Sequence, residues 1–274
     1  GCRLAGTLRE VIYLGDHGPD LLRGKRSSYE GGTHIPLLVR WPGKARPQVR
    51  TEFVSTTDFM PTLLAVVGAA PVLGLPGQSL VPLLAGEKPA WRDHLFTEFH
   101  THAARANFFP QRAVRSDRYK LIENLLPDEA NPDMEKIDKE FPFVAAALAA
   151  AAPEVRSAYQ LQQKPPRYEL YDLQADPYEF RNLTGSAEHA AVFADLKQRL
   201  LTWREQTQDP LLNPTNLTRL KAEVYAVKGK ADGKAIAWGY PDYFFGKEPA
   251  VKRDTAPETE KPVKKKRKKK NQAE

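Results

Sequence analysis

Two adjacent residues near the start of the chain have side chains suited to binding a metal ion. Asp16 and His17 follow the apolar run at residues 11–14 after a single glycine, Gly15, and a loop that contains glycine begins at Gly18. A carboxylate is a hard oxygen ligand that suits calcium or magnesium, whereas an imidazole nitrogen is more typical of transition-metal sites. In open α/β sheets, ligands bind where strands end. Asp16 and His17 are therefore candidate metal ligands at a strand end.

The same pair has a simpler interpretation. An aspartate after a strand can cap a turn by bonding to the local backbone, and the histidine can be satisfied there as well. Taken alone, the Asp-His pair favours this structural role. The choice depends on the elements and motifs that surround the pair.

Apolar periodicity predicts the elements that would position this site. Residues 11–14 and 35–41 are short apolar runs that predict buried strands, and Pro42-Gly43 closes the second. The glycine-containing stretch between them suits a loop that approaches a ligand closely. Residues 53–67 change to helical spacing, with Thr57 or Asp58 as the N-cap.

The next part of the chain predicts an antiparallel sheet and a covering helix. The predicted strands are residues 95–99, 112–115, 119–123 and 168–173, with a short alanine-rich helix at 145–152 inserted before the last. Residues 187–203 have an amphipathic helical pattern that could cover this sheet. After about Asn213 the periodicity fades, and the aromatic residues between Trp238 and Phe245 are expected to pin an extended segment to the body.

Composition limits the classes of protein that fit. The formal net charge is +7, but residues 261–270 alone contain eight basic residues and no acid. The remainder is close to neutral, so nucleic-acid binding is expected only through this tail, which reads first as a disordered solubilising segment. No window approaches the roughly 18 apolar residues of a membrane span. Cys2 is the only cysteine, which excludes an intrachain disulfide, and its neighbours do not suggest a nucleophile.

Several short motifs follow one another in a fixed order. They are Gly-Asp-His-Gly at 15–18, Gly-Lys at 24–25, Tyr-Glu-Gly-Gly at 29–32, Pro-Leu-Leu-Val-Arg-Trp-Pro-Gly at 36–43, Arg-Ala-Val-Arg at 112–115, Tyr-Lys-Leu-Ile at 119–122 and Glu-Leu-Tyr-Asp-Leu at 169–173. Each is weak alone, but their ordered succession is specific. Together they resemble the C-terminal half of a type I sulfatase, a member of the alkaline-phosphatase-like metallohydrolases, and the short gap from Asp16 to Lys25 resembles the heparan N-sulfatase branch.

The resemblance implies roles for three residues. Asp16 and His17 would bind one divalent cation, usually calcium, beside the sulfate; His17 could instead tune the metal or bond a substrate oxygen. Lys25 would contact the sulfate as a point charge and stabilise charge that develops as the S–O bond breaks. The alternatives for Lys25 are a solvated loop lysine, or a role shared with or taken by Arg26. His100 and His102 could reach a sugar or the metal, but a loop role is at least as well supported.

The rest of that family's catalytic apparatus does not occur in the sequence. The family uses a formylglycine made from a Cys or Ser in a Cys/Ser-x-Pro-x-Arg motif, together with a paired Asp-Asp metal site, and neither motif is present. We therefore expect this chain to be inactive alone, with the formylglycine in a missing N-terminal half. A periplasmic or secreted location is expected only if a complete protein carries a signal peptide.

The predicted fold class is α/β. Residues 1–94 would be the C-terminal portion of the alkaline-phosphatase-like catalytic α/β sandwich, and residues 95–212 a smaller α+β subdomain with an antiparallel sheet packed by a helix. Residues 213–248 would be an extended segment and 249–274 a disordered basic tail. The predicted function is metal-dependent hydrolysis of a sulfated sugar or aryl sulfate in the complete protein. The alternatives are a phosphodiesterase or phosphonate monoester hydrolase of the same superfamily, or a non-catalytic binding fragment.

Overall fold

The first two strands form a small antiparallel sheet at the base of the site. A computed structural model describes residues 10–100, 108–127, 129–134, 139, 141–227 and 238–246. Strand β1 (Val11–Leu14) pairs with β2 (Leu37–Arg40) so that Tyr13 lies opposite Leu38. Both predicted strands are confirmed, but the prediction that they are buried is wrong, because Val11, Tyr13 and Leu38 are 49%, 63% and 65% exposed. The chain between them is an irregular loop that ends in one short helical turn, α1 (Glu30–Thr33).

Helix α2 (Phe59–Val66) follows a 3-10 turn, and α3 (Val81–Leu84) packs beside it. The predicted helix is confirmed, and Asp58 occupies its N-cap position, but the Asp58 side chain makes no capping bond to α2. The side chain of Ser55 accepts a hydrogen bond from the Thr57 amide, and Asp58 bonds back to the Ser55 amide at 2.8 Å. This capping box belongs to the 3-10 turn that precedes α2. The capped start therefore lies three residues upstream of α2.

The larger sheet is a four-stranded antiparallel meander. Its strands are β3 (Leu95–Phe99), β4 (Gln111–Arg115), β5 (Tyr119–Asn124) and β6 (Tyr168–Asp172), in the order β3-β4-β5-β6. All four predicted strands are confirmed. Helices α4 (Phe143–Ala150) and α5 (Pro153–Gln163) are inserted between β5 and β6, and α4 is the predicted alanine-rich helix.

One face of this sheet is covered by helix α6 (Ala190–Gln206), as the amphipathic pattern predicted. Leu196 and Leu200 of this helix are each 1% exposed and pack on the sheet. Burial of each leucine contributes about 1.5–3 kcal/mol. The stacked rings of Phe96 and Trp203, 5.1 Å apart, close one edge of this interface.

The opposite face of the same sheet is covered by the loop that follows β1. Tyr29 is 1% exposed and packs against Ala113, Ile122 and Tyr171, which lie on three adjacent strands. Because alternate residues of a strand point to opposite faces, the sheet binds α6 on one side and this loop on the other. The four-stranded sheet therefore supports the segment that carries the candidate site.

The prediction of an extended segment at residues 213–248 is wrong in its described part. Helix α7 (Pro214–Ala226) begins at Asn213, whose side chain accepts a hydrogen bond from the Thr215 amide at 2.9 Å. Leu220 and Val224 of this helix are buried and Leu217 packs with them, an i, i+3, i+7 spacing that favours a helix and that the sequence prediction overlooked. A short helix, α8 (Tyr240–Phe245), follows. Its residues Tyr240 and Phe244 pack on the core cluster that contains Leu220 and Val224, which confirms the predicted aromatic anchor for these two residues, whereas Phe245 is 71% exposed.

Some expectations fall on residues outside the described ranges. These are Cys2, His102 and the basic tail at 249–274. The domain boundaries after residues 94 and 212 remain predictions. Within the described residues, no helix combines the length and the apolar character needed to cross a membrane.

Candidate functional site

Asp16 and His17 lie side by side at the end of β1, as the sequence predicted. The His17 Nε2 atom is 3.4 Å from an Asp16 carboxylate oxygen, and the side chains are 36% and 89% exposed, respectively. The other ring nitrogen, Nδ1, lies 2.7 Å from the Gly18 carbonyl oxygen. When Nδ1 donates to that carbonyl, Nε2 carries a lone pair directed toward the carboxylate side, the form in which histidine binds metals.

These two residues fit a divalent cation only as part of a ligand set. A lone pair on Nε2 facing a carboxylate is stabilised by a cation between them or by a proton on the ring. Calcium takes six to eight oxygen ligands, and in the part of the chain that the structure describes no third His, Cys, Asp or Glu completes a metal-binding group. The remaining ligands of such a cation would have to come from another segment.

The loop brings the backbone of Lys25 back toward Asp16 and His17. The Lys25 amide donates to the Pro19 carbonyl at 2.9 Å, which places it beside a residue only three positions after Asp16. Lys25 is half-buried, and its ammonium forms no ion pair or hydrogen bond with any residue that the structure describes. This side chain is therefore free to neutralise a bound anion.

Arg26 has a different role from the alternative considered on sequence grounds. Its guanidinium is buried and pairs with Asp20 at 2.6 Å and with Asp133 at 2.5 Å. A guanidinium held between two carboxylates is poorly placed to bind a further anion. The geometry thus favours Lys25 over Arg26 as the anion contact.

Glycines at two positions allow this loop to fold back on itself. A Cβ atom on Gly18 would lie 1.7 Å from the Gly31 carbonyl oxygen, and one on Gly24 would lie 2.1 Å from the Pro19 carbonyl oxygen. Such distances exclude any side chain. The glycine-rich character of this stretch is explained by close backbone crossing rather than by flexibility.

A buried polar cluster on the larger sheet holds the second half of the loop, and sequence analysis missed it. The Tyr29 and Tyr171 hydroxyls donate to the Glu169 carboxylate at 2.7 and 2.5 Å, and the Asn124 amide donates to its other oxygen at 2.7 Å. Burial and the nearby Glu169 charge raise the pKa of both tyrosines well above their usual value. Tyr29 and Glu169 do stand within the recognised motifs, but nothing in the motifs indicates that the two bond each other.

A second cluster fixes the start of α1. The Glu30 carboxylate pairs with Arg115 and Lys120, both at 3.1 Å. Burial would raise the pKa of Glu30, but these two cations lower it below its ordinary value. Glu179, on the turn after β6, pairs with the same Lys120 at 3.2 Å.

His100 lies at the end of β3, 3.9 Å from Glu98. Burial and the positive charge of Arg112 lower the pKa of the His100 imidazole. No contact in the described part of the chain joins it to Asp16, His17 or Lys25, so the structure assigns it no part in the site.

Comparison with known proteins identifies the family. Residues 15–139 match the family model described as N-sulphoglucosamine sulphohydrolase, C-terminal. Over these residues the chain matches the C-terminal part of sulfatases. The matched region contains the whole candidate site, and the sulfatase resemblance noted from the ordered motifs is confirmed.

Two curated sulfatases and one solved structure illustrate the extent of the match. An ulvan-active sulfatase of Formosa agariphila is 29% identical over 201 residues, covering 70% of this chain and 32% of that protein. The human N-sulphoglucosamine sulphohydrolase is 30% identical over 230 residues, covering 76% of this chain and 44% of the relative. A protein solved with its substrate D-glucosamine-2-N,6-O-disulfate superposes with a TM-score of 0.54 at 23% identity, covering 73% of this chain and 35% of that one. The present chain thus spans less than half the length of each of these three proteins. The superposition supports the α/β fold.

Proposed function

We propose that this chain contributes one side of the metal and sulfate site of a sulfatase that hydrolyses sulfate esters or N-sulfates. The observation that carries the proposal is the ordered loop after β1. It presents Asp16 and His17 to solvent and leaves Lys25 without a protein partner. A lysine without a protein partner, in the same loop as two candidate metal ligands, is suited to a dianionic group such as sulfate.

Each of the three residues has a distinct task in this proposal. Asp16 and His17 would hold part of the coordination shell of a divalent cation, expected to be calcium, which supplies positive charge next to the sulfate. Lys25 would bind a sulfate oxygen and stabilise the negative charge that grows on the ester during bond cleavage. Because two ligands do not complete such a shell, the other ligands and the formylglycine nucleophile would come from the part of the fold that this chain lacks. The chain alone is therefore expected to be inactive.

A sulfated carbohydrate is the proposed substrate class. The human relative is an N-sulphoglucosamine sulphohydrolase, and the solved neighbour binds a disulfated glucosamine. We therefore propose N-sulfated or O-sulfated glucosamine units before simple aryl sulfates. A phosphonate or phosphodiester substrate is the alternative that the assay must separate.

The test uses Lys25 variants in a polypeptide that joins this chain to the nucleophile-bearing part of a sulfatase. Replacing Lys25 with Ala should lower kcat/KM for N-sulfated glucosamine by about 100- to 1,000-fold, because one contact to the developing charge is lost. Lys25→Arg should retain part of the activity, since it keeps the charge but changes its position. Rates would be measured on matched sulfate and phosphate esters with calcium present.

Lys44→Ala is the matched control, because Lys44 is an exposed lysine in the turn after β2. It should leave kcat/KM unchanged, and the 274-residue chain alone should give no turnover. Wild-type rates for Lys25→Ala would contradict the assigned role. Faster turnover of the phosphate esters would favour the phosphohydrolase alternative.

A further inference from the structure

Glu179 connects the turn after β6 to the loop that carries Lys25. Its side chain is buried, with a residue exposure of 1%. One carboxylate oxygen accepts a hydrogen bond from the Glu30 amide at 2.7 Å, and the other pairs with Lys120 at 3.2 Å. The Glu179 carbonyl oxygen also accepts a hydrogen bond from Arg23. One residue thus binds the loop on both sides of Lys25.

Arg23 is further fixed by an aromatic ring. Its guanidinium carbon lies 3.6 Å from the centre of the Tyr29 ring, a cation–π contact within a buried site. A Cβ atom added to Gly31 would approach the Arg23 carbonyl oxygen to 2.7 Å, so the two backbone segments are in direct contact. Movement of Arg23 or Glu30 would therefore displace the backbone that carries Lys25.

The charged residues connected to Glu179 include equal numbers of cations and carboxylates. Arg23, Arg115 and Lys120 provide three cations, and Glu30, Glu169 and Glu179 provide three carboxylates, all joined by the contacts described above. Removing one member of a buried, paired set leaves an uncompensated charge. If the Glu179 charge were removed, Lys120 would keep Glu30 as its one charged partner among the described residues.

The backbone of Glu179 also points to a specific requirement at this position. Its φ angle is 59°, in the left-handed region that glycine adopts more easily. A residue with a long side chain persists in such a conformation only where its surroundings hold it. Here the carboxylate contacts to Glu30 and Lys120 provide that support.

We propose that Glu179 is a positioning residue that holds Arg23 and Glu30 in place and thereby directs Lys25 toward the sulfate. The role of Lys25 in this statement rests on the proposed function. The attachment of the loop by Glu179 does not, and it can be measured without any substrate.

The first measurement is amide hydrogen exchange in the 274-residue chain. Glu179→Gln keeps an acceptor for the Glu30 amide but removes the charge that Lys120 and the loop require. The amides of Gly24, Lys25 and Ser27, which bond within the loop, should exchange at least about tenfold faster, because local opening becomes easier. Amides in the centre of β5 should keep their protection.

The second measurement is a double-mutant cycle in the assembled enzyme. Glu179→Gln should lower kcat/KM on the order of 100-fold, the effect of a small displacement of a catalytic group. Adding Glu179→Gln to Lys25→Ala should cause little further loss, because the two changes remove the same contact. Glu123→Gln is the control, since Glu123 is buried in the same sheet but pairs with Arg167 and Arg204. Its effect should multiply with that of Lys25→Ala.

Two results would overturn the inference: unchanged exchange of the loop amides, or independent, multiplying effects of Glu179→Gln and Lys25→Ala. If Glu179→Gln does not fold, Glu179→Asp keeps the charge on a shorter side chain and serves for both measurements. If the wild-type enzyme has no sulfatase activity, the proposed function fails. The exchange measurement then still decides whether Glu179 holds the loop.

Discussion

The site loop depends on individual residues that have no side chain. The Gly18 amide donates a hydrogen bond to the Gly32 carbonyl at 3.2 Å, so the two ends of the loop are in backbone contact at this point. Nothing larger than hydrogen fits, since a Cβ atom on Gly18 would lie 1.7 Å from a carbonyl oxygen. The candidate metal ligands Asp16 and His17 are therefore positioned by a backbone contact immediately after His17.

We expect Gly18→Ala to destabilise the fold by about 1–3 kcal/mol, the usual cost of forcing an atom into a packed site. Urea denaturation of the chain would measure this change in the free energy of unfolding. Gly185→Ala is the control, because no atom lies within 4 Å of its added Cβ. It should change stability by less than about 0.5 kcal/mol. Equal stability of both variants would show that the loop does not cross as closely as described.

A second buried ion-pair network joins strands β4 and β5 to helix α6. Its centre is Asp209, between α6 and α7. Asp209 accepts two hydrogen bonds from Arg112 of β4 at 2.9 and 2.8 Å and one from Arg204 of α6 at 2.7 Å. Arg204 also donates to Glu123 of β5 at 2.7 Å. Although burial raises it, the pKa of Asp209 is lowered to about 2 by its bonds to Arg112, the Leu211 amide and Arg204.

This shift predicts the pH dependence of stability. The folded pKa of Asp209 is below its ordinary value of 3.8, so the contribution is present above about pH 4 and is lost as the pH falls toward 2. It amounts to about 2 kcal/mol of stability. Asp209→Asn should cost about 3–5 kcal/mol at neutral pH, because the buried guanidiniums of Arg112 and Arg204 each lose a charged carboxylate partner. The difference from wild type should narrow between about pH 4 and pH 2.

The measurement is the free energy of unfolding of both proteins across that pH range. Asp195→Asn is the matched control, since Asp195 pairs with Arg199 on the exposed face of α6. An exposed pair of this kind contributes at most about 0.5 kcal/mol. A difference between wild type and Asp209→Asn that does not change with pH would contradict the assignment.

At the scale of the whole molecule, apolar side chains are exposed on the two-stranded sheet of β1 and β2, which we call the β1-β2 hairpin. Tyr13 and Leu38 lie opposite each other in the register and are 63% and 65% exposed. Within the described residues, β1 and β2 pair only with each other. A two-stranded sheet is marginally stable in water unless another surface covers it, and an apolar patch of this kind favours association. In the sulfatase relatives, more than half of the protein lies outside the matched region.

We expect the isolated 274-residue chain to self-associate through this hairpin. Replacing both Tyr13 and Leu38 with Ser should reduce the weight-average mass in sedimentation experiments, because the apolar face is removed. Leu73→Ser is the control, since Leu73 is 95% exposed but lies in an irregular segment away from the hairpin. The same reduction in both proteins, or in neither, would show that association does not depend on the hairpin.

The sequence by itself was sufficient for the local elements and for the family. Strands β1 to β6 and helices α2 and α6 follow from apolar periodicity, and α4 follows from the helix propensity of alanine; both are local properties of the chain. The ordered motifs identified the sulfatase relationship and placed Asp16, His17 and Lys25 in one loop. Helix α7 was missed although Leu217, Leu220 and Val224 recur on its core-facing side at helical spacing.

Only the tertiary structure decided which cation of the loop is free and what holds the loop in place. Arg26 is taken up by Asp20 and Asp133, which leaves Lys25 without a partner in the described part of the chain. The contacts of Glu169 and Glu179 to the loop span 140 and 149 residues of sequence. Periodicity and spacing carry no signal over such separations, because these pairs meet only when the four-stranded sheet packs against the loop.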